Sequence, residues 1–280
     1  MIRKVLVIVP FAMSDDNLAL RQQQLQGIDL SPDLQFEFRP VKAGPVNYSS
    51  HHDFVLADAA NFEAGCRAEA EGFSAVCIDT MSDSGVAALR SVLRIPVFGP
   101  GKASMLTALM LGDRFSILTM ASRWKPLYKK ALDELQLHHK CASVRAIEVA
   151  PDNRGLLSGK EDEVFPLLEA AARKAIDEDG ADVLILGSTT MHQAHAWLGS
   201  RLPVPVINPG PLSYQIALAL LGGKANLQMA IGHRLLRATD TLLLACWTHA
   251  GSLRRPQSSV AVGAIRDAAA GSARWGLGRK

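Results

Sequence analysis

One stretch of this chain occurs twice, and that constrains the fold more than any other feature. Gly72-Phe-Ser-Ala-Val-Cys-Ile-Asp-Thr80 is answered by Gly180-Ala-Asp-Val-Leu-Ile-Leu-Gly-Ser188, an offset of 108 residues at both ends. Arg94-Ile-Pro-Val-Phe-Gly99 is answered by Pro203-Val-Pro-Val-Ile-Asn208, offset by 109 from Pro96 to Pro205. A helix-like apolar run follows each, Ala103 to Leu111 and Leu212 to Leu221. The repeat is too long for a solenoid unit and suits a duplicated half of a protein. Each copy reads as a buried strand ending on a small hydroxyl residue. If the halves face each other, Thr80 and Ser188 come from equivalent strand ends and meet across one cleft.

The rest of the chain fits that duplication. Val5 to Val9 is a short continuous apolar run, the pattern of a strand covered on both faces. It is β-branched, stops at Pro10 and lacks a small-residue cleavage site, so it reads as a first strand and not as a signal peptide. Asp15 or Asp16 can cap a helix carrying Leu18, Leu20 and Leu25. Leu34 to Phe38 alternates as an outer strand. Gly44 to Asp53, with His51-His52-Asp53, reads as an irregular polar loop before a helix over Ala57–Glu71. A helix is expected over 86–93 and a strand over 95–98. Gly112 to Thr119 resembles the opening of the chain. An amphipathic helix follows over 125–137, then a strand over 144–149 and an Ala-rich helix running to about Asp179. Strands alternating with helices predict an α/β protein with parallel sheets flanked by helices, in two similar, pseudo-twofold related lobes. Residues 1–100 with 211–250 make one expected lobe and 101–210 the other. Residues 251–280, rich in Ser, Gly, Ala and Arg, read as a mostly disordered tail.

Composition excludes some classes. The net charge of +3 is small and scattered, which argues against nucleic acid. No apolar run reaches the roughly 18 residues of a membrane helix. Four cysteines, with no Cys-x-x-Cys pair and no metal-like spacing to histidine, fit a cytoplasmic protein with reduced thiols and no metal. Gly99-Pro-Gly101 and Gly222-Gly223 read as turn or helix-end punctuation and fit no phosphate-loop or dinucleotide pattern. The oligomeric state is open, a homo-oligomer among the options.

Ligands of parallel α/β sheets bind beyond the carboxyl ends of the strands. That gathers Pro10 to Ser14, Thr80 to Asp83, Thr119 to Arg123 and Ser188 to His192 around one site. Thr80 and Ser188 can cap the following helices, and two facing helix N-termini would hold a small anion without a basic residue. Asp79 and Asp83 flank Thr80. A carboxylate at a buried strand end suits either a base of raised pKa or, for Asp79, a hydrogen-bonded strand terminus and, for Asp83, a cap. With strand period two, Cys77 and Asp79 share one face and Ile78 and Thr80 the other. His192 stands four residues after Ser188, where it either activates a nucleophile or lies on a helix surface, and no Gly-x-Ser-x-Gly elbow is present. Pro10, Phe11, Ser82, Thr119, Ser122 and Thr189 are the expected substrate contacts.

These segments resemble the aspartate/glutamate/hydantoin racemase superfamily, and within it hydantoin racemases, over roughly residues 1–222. The specific parts are Phe73-Ser-Ala-Val-Cys-Ile-Asp-Thr-Met-Ser-Asp-Ser-Gly85, Ile95-Pro-Val-Phe-Gly99, Leu111-Gly-Asp-Arg-Phe-Ser-Ile-Leu-Thr119, Cys141-Ala-Ser-Val-Arg-Ala146 and Glu178-Asp-Gly-Ala-Asp-Val-Leu-Ile-Leu-Gly187. The resemblance implies two α/β lobes and cofactor-free chemistry, in which one cysteine per lobe exchanges a proton with the substrate's α-carbon. It places the two thiol positions on Thr80 and Ser188, and puts Phe11 where a substrate-holding Asn would stand. Hydroxyls are far weaker acids than thiols, whose pKa is about 8.5, so ordinary two-thiol racemisation is not expected. Three functions follow. The first is an enzyme of lyase, isomerase or hydrolase type acting on a small carboxylate or cyclic amide, with Asp79, Asp83 or His192 moving the proton. The second is a racemase with other bases, and the third a non-catalytic binder of small acids.

Overall fold

A computed structural model of the chain describes residues 2–150, 157 and 159–221. The expected return to the first lobe over 211–250 is therefore described only to Leu221, and the 251–280 tail lies outside the described residues.

Two four-stranded parallel sheets form the frame. The first contains β1 (Arg3–Val9), β2 (Leu34–Pro40), β3 (Ala75–Ile78) and β4 (Val97–Phe98) in the order β2-β1-β3-β4. The second contains β5 (Phe115–Thr119), β6 (Cys141–Ala146), β7 (Val183–Leu186) and β8 (Val206–Ile207) in the order β6-β5-β7-β8. The two orders are the same, as duplication requires. The pairing also corresponds: Val5 lies opposite Ala75 and Ile8 opposite Ile78, as Phe115 lies opposite Val183 and Leu118 opposite Leu186. Val5 to Val9 is fully buried because helices cover both faces of its sheet.

Eight α-helices connect and cover the sheets among the described residues: α1 (Asp15–Gln22), α2 (His51–Gly65), α3 (Val86–Arg90), α4 (Pro100–Leu111), α5 (Lys125–Leu135), α6 (Glu161–Asp177), α7 (Ala194–Gly199) and α8 (Pro209–Leu221). Helix α4 leaves the last strand of the first lobe and packs on β5 and β7 of the second. Helix α8 leaves the second lobe and lays Tyr214, Ala217 and Leu221 against Val5, Val7 and Cys77 of the first. This exchange clasps the lobes together, with the carboxyl ends of β1, β3, β5 and β7 converging between them. Ile78 packs on the opposite face of β3, with Leu6, Ile8 and Leu89, so the two-residue period places Cys77 and Ile78 as expected.

Local departures have local causes. The loop expected over Gly44 to Asp53 ends early, because Ser50 and Asp53 form a capping box: the Ser50 hydroxyl accepts from the Asp53 amide and the Asp53 carboxylate accepts from the Ser50 amide at 3.0 Å. His51, His52 and Asp53 are thus the first turn of α2, which ends at Gly65 and not Glu71, and both imidazoles are solvent-exposed. Helix α5 closes at Gln136, which is left-handed at φ 55°. Strand β6 lies three residues earlier than expected, and Glu148, at φ 57°, has left extended geometry. No helix among the described residues is long and apolar enough to cross a membrane.

Candidate functional site between the lobes

The strand ends enclose a cavity of ≈30 Å3 with walls from both lobes. Phe11, Arg21, Tyr48, Asp79 and Thr80 line it from the first lobe, and Trp124, Tyr128, Gly187, Ser188 and Thr189 from the second. A water needs roughly 10–15 Å3, so the cavity as it stands has room for about two waters.

The two hydroxyl turns are built alike. Ser188 accepts from the Thr190 amide at 3.2 Å, and its hydroxyl lies 2.8 Å from that of Thr190. Thr80 accepts from the Ser82 amide at 3.5 Å with the hydroxyls 3.3 Å apart, and the Ser82 hydroxyl donates to that of Ser84 at 2.9 Å. Both hydroxyls therefore hold their own turns, as short side chains do after a strand. The helix termini do not form the expected open anion cradle. Asp83 accepts from the amides of Gly101 at 2.8 Å and Lys102 at 2.7 Å, so it fills the N-terminus of α4 with an internal carboxylate. Its cap is on α4 and not on the helix immediately after it, because α3 starts at a left-handed Gly85 whose amide is taken by Asp58.

Between the hydroxyl turns lies a charged pair. Arg21, 1% exposed, donates from Nη1 to Asp79 Oδ2 at 2.8 Å and to Thr189 Oγ1 at 3.0 Å. Gln24 reaches the same carboxylate oxygen at 3.5 Å, and Thr189 donates to the Asp79 carbonyl at 3.4 Å, which ties the second lobe to the first. Burial pushes the Asp79 carboxyl above its ordinary pKa, and Arg21, Thr189 and Gln24 pull it partly back. Asp79 Oδ1 has no hydrogen-bond partner within the protein. At the position equivalent to Asp79 the second lobe carries Gly187, whose carbonyl accepts from the Tyr128 hydroxyl at 2.6 Å. The two walls are alike in hydroxyls and unlike in acid.

Of the residues expected at the site, Phe11, Asp79, Thr80, Ser188 and Thr189 meet at the cavity. The others do not line it. Pro10 is buried, and Thr119 accepts from the Tyr128 hydroxyl at 2.9 Å, outside the cavity lining. Ser82 and Asp83 face a separate cleft of ≈480 Å3 against Arg90, Lys102 and Lys130; burial raises Asp83 to about 6 against the pull of its two amides. Ser122 is exposed and donates to Glu148 on the far side of its loop. His192 is half-buried, and burial with the Arg21 charge lowers it to about 4, so it is neutral at pH 7. His195 lies 3.0 Å from the Val206 carbonyl, a structural contact.

Arg21, Tyr48, Trp124 and Tyr128 were not expected. Arg21 had a signal: it stands three residues after Leu18 and four before Leu25, on the apolar stripe of its helix, where an unpaired charge does not belong. The described cysteines, Cys66, Cys77 and Cys141, are free and none lines the cavity. Cys77 is sealed beneath α8, and burial together with the Asp79 charge pushes its thiol well up, the reverse of an activated thiolate. No group of three or more metal-ligating side chains occurs among the described residues.

This is a two-lobed α/β protein of the racemase fold, with a cavity where the lobes meet. Residues 19–217 match the family described as Asp/Glu/Hydantoin racemase, and the chain belongs to that family. It is 29% identical to the hydantoin racemase of Pseudomonas sp. (strain NS671) over 178 residues, 63% of this chain and 70% of that one. The allantoin racemase from Klebsiella pneumoniae superposes with a TM-score of 0.69 at 25% identity, over 79% of this chain and 89% of that one. An arylmalonate decarboxylase (TM-score 0.58, 17% identity, 80% and 94% covered) shares the fold.

Proposed function

We propose that the chain is an enzyme whose interlobe cavity carries out one-sided proton transfer on a small carboxylate or hydantoin-like ring, as a lyase, isomerase or hydrolase without thiols. The observation that carries this is the asymmetry of the walls: Asp79 on one side, Gly187 in the equivalent place on the other. Racemisation needs a proton carrier on each face of the stereocentre. In this reading Thr80 and Ser188 stand where the relatives' thiols would, and orient the substrate with their hydroxyls. Asp79 moves the proton through Oδ1, the oxygen free of partners, and its raised pKa brings it towards the working pH of a general acid or base. Asp83 and His192 take no part, since neither lines the cavity and Asp83 is committed to α4. Substrate binding requires Phe11, Met81 and Leu127 to withdraw, because a ring does not fit in ≈30 Å3. The chemistry needs no cofactor, and we place it in the cytoplasm.

The test is incubation of the purified protein with 5-substituted hydantoins, allantoin, malonates and amino acids in deuterated water. Loss of carbon dioxide, water or ring integrity, or isomerisation with deuterium on one face, supports this reading. Two-sided α-carbon exchange identifies a racemase with other bases, and binding without turnover identifies a binder of small acids.

A further inference from the structure

Arg21 has more donors than its neighbours use. A guanidinium offers five N–H groups, and the edge formed by Nε and Nη2 matches a carboxylate bidentately. Here Nη1 alone serves Asp79 and Thr189, while Nε and Nη2 are buried with no hydrogen-bond partner. The side chain is 1% exposed, lines the cavity and rests over the Phe11 ring at 5.7 Å, so the edge is fixed in direction. Buried donors without acceptors are costly, so this edge calls for an acceptor from outside the chain, water or the carboxylate of a ligand.

We propose that the Nε/Nη2 edge of Arg21 binds the carboxylate of the substrate, and that this binding takes one proton from solvent onto Asp79. The proposal rests on the interlobe cavity being the substrate site. With only Asp79 beside it, Arg21 makes a neutral pair. A second carboxylate on the same guanidinium puts two negative charges on one cation in a buried cavity, and one of them must be neutralised. Asp79 is the group that protonates, since its Oδ1 is unpartnered. The other groups around the pair supply no compensating charge. Tyr48, Tyr214 and Cys77 are held in their neutral forms by burial, and His192 is neutral at pH 7. The balance is simple: one carboxylate and one proton enter, and Asp79 becomes the neutral acid that a one-sided protonation requires. Of the two substrate classes proposed above, the site thereby favours the small carboxylate over the neutral hydantoin-like ring, and a carboxylate over the neutral amide of the same shape.

The test is calorimetric titration of the full-length protein with acetate, and with acetamide as the neutral isostere, in buffers of different ionisation heat. The expected result is saturable acetate binding with uptake of one proton, acetamide weaker by at least about tenfold, and acetate affinity falling about tenfold per pH unit where Asp79 is ionised in the free protein. Asp79→Asn tightens acetate by at least about tenfold and abolishes both proton uptake and pH dependence. Arg21→Lys keeps the charge, loses the fork and weakens acetate by about tenfold or more. Equal binding of acetate and acetamide, no saturable acetate heat, or acetate bound without proton uptake overturns the proposal. If Asp79→Asn does not fold, the proton count on the wild-type chain decides alone. Turnover in deuterated water that acetate fails to inhibit sinks the role of Arg21 while leaving one-sided chemistry standing. Proton-coupled acetate binding with no turnover of any substrate does the reverse.

Discussion

Replacing Arg21 with Met probes the pair on which the site is built. Both side chains of the pair are 1% exposed, and Arg21 makes the short contact to Asp79, at 2.8 Å, with Gln24 left at 3.5 Å. Methionine has comparable length and no charge, so packing against Phe11 is largely kept while Asp79 is left buried without its cation. Breaking one side of a buried pair costs about 3–5 kcal/mol. For a domain of this size, at about 2–4 °C per kcal/mol, that is a fall in Tm on the order of 10 °C. The loss depends on pH, and its sign is fixed. Asp79 already has a raised pKa in the folded protein, and removal of Arg21 raises it further. Above the ordinary carboxylate pKa of about 3.9 the folded variant holds a proton that the unfolded chain releases, so its stability falls as pH rises until the folded-state pKa is passed. The deficit against wild type is therefore smallest near pH 5 and largest near pH 8. Urea unfolding at those two pH values, followed by circular dichroism, measures it. A deficit below about 1 kcal/mol that is the same at both pH values would refute the view that Arg21 is the counter-charge of Asp79.

Other perturbations have definite outcomes. Asp83→Ala leaves the amides of Gly101 and Lys102 without their acceptor and lowers stability by about 1 kcal/mol. Asp83 is raised to about 6, so the wild type loses stability as pH rises from about 4 to 6 and the variant lacks that component, which a Tm–pH profile detects. Gly187→Ala brings a Cβ to 2.6 Å from both the Leu118 carbonyl and the Tyr128 hydroxyl, and thermal melts are expected to show a loss of about 1–3 kcal/mol. Ser122→Ala leaves acetate affinity unchanged, because Ser122 faces Glu148 and not the cavity.

The sheets were legible because a buried parallel strand writes itself as an uninterrupted apolar run, and Val5 to Val9 and the two copies at 72–80 and 180–188 do so. Thr80 and Ser188 were legible because strand ends follow from the strands. Asp83 was legible as a cap but not as a cap on α4, since its partners Gly101 and Lys102 lie 18 and 19 residues away and come to it through β4. The start of α2 was misplaced because the polar run Tyr48 to Asp53 looks like loop, although Ser50-x-x-Asp53 contains the capping signal. Arg21 was hidden for another reason. A charge on an apolar stripe announces a buried partner without naming it, and Asp79 is 58 residues away. Nor does a sequence carry the width of a cavity, which here depends on how Phe11, Tyr48 and Trp124 pack between lobes.

The handedness of deuterium uptake tests the central claim most directly. A prochiral malonate or a 5-substituted hydantoin is incubated with the purified protein in deuterated water, and deuterium at the reacting carbon is assigned to each face by chiral chromatography and mass spectrometry. One-sided chemistry from Asp79 predicts deuterium on a single face, lost in Asp79→Asn and retained in a variant with all four cysteines replaced by serine or alanine. Deuterium on both faces at equal rates, or activity that survives Asp79→Asn and vanishes with the cysteines, would contradict it.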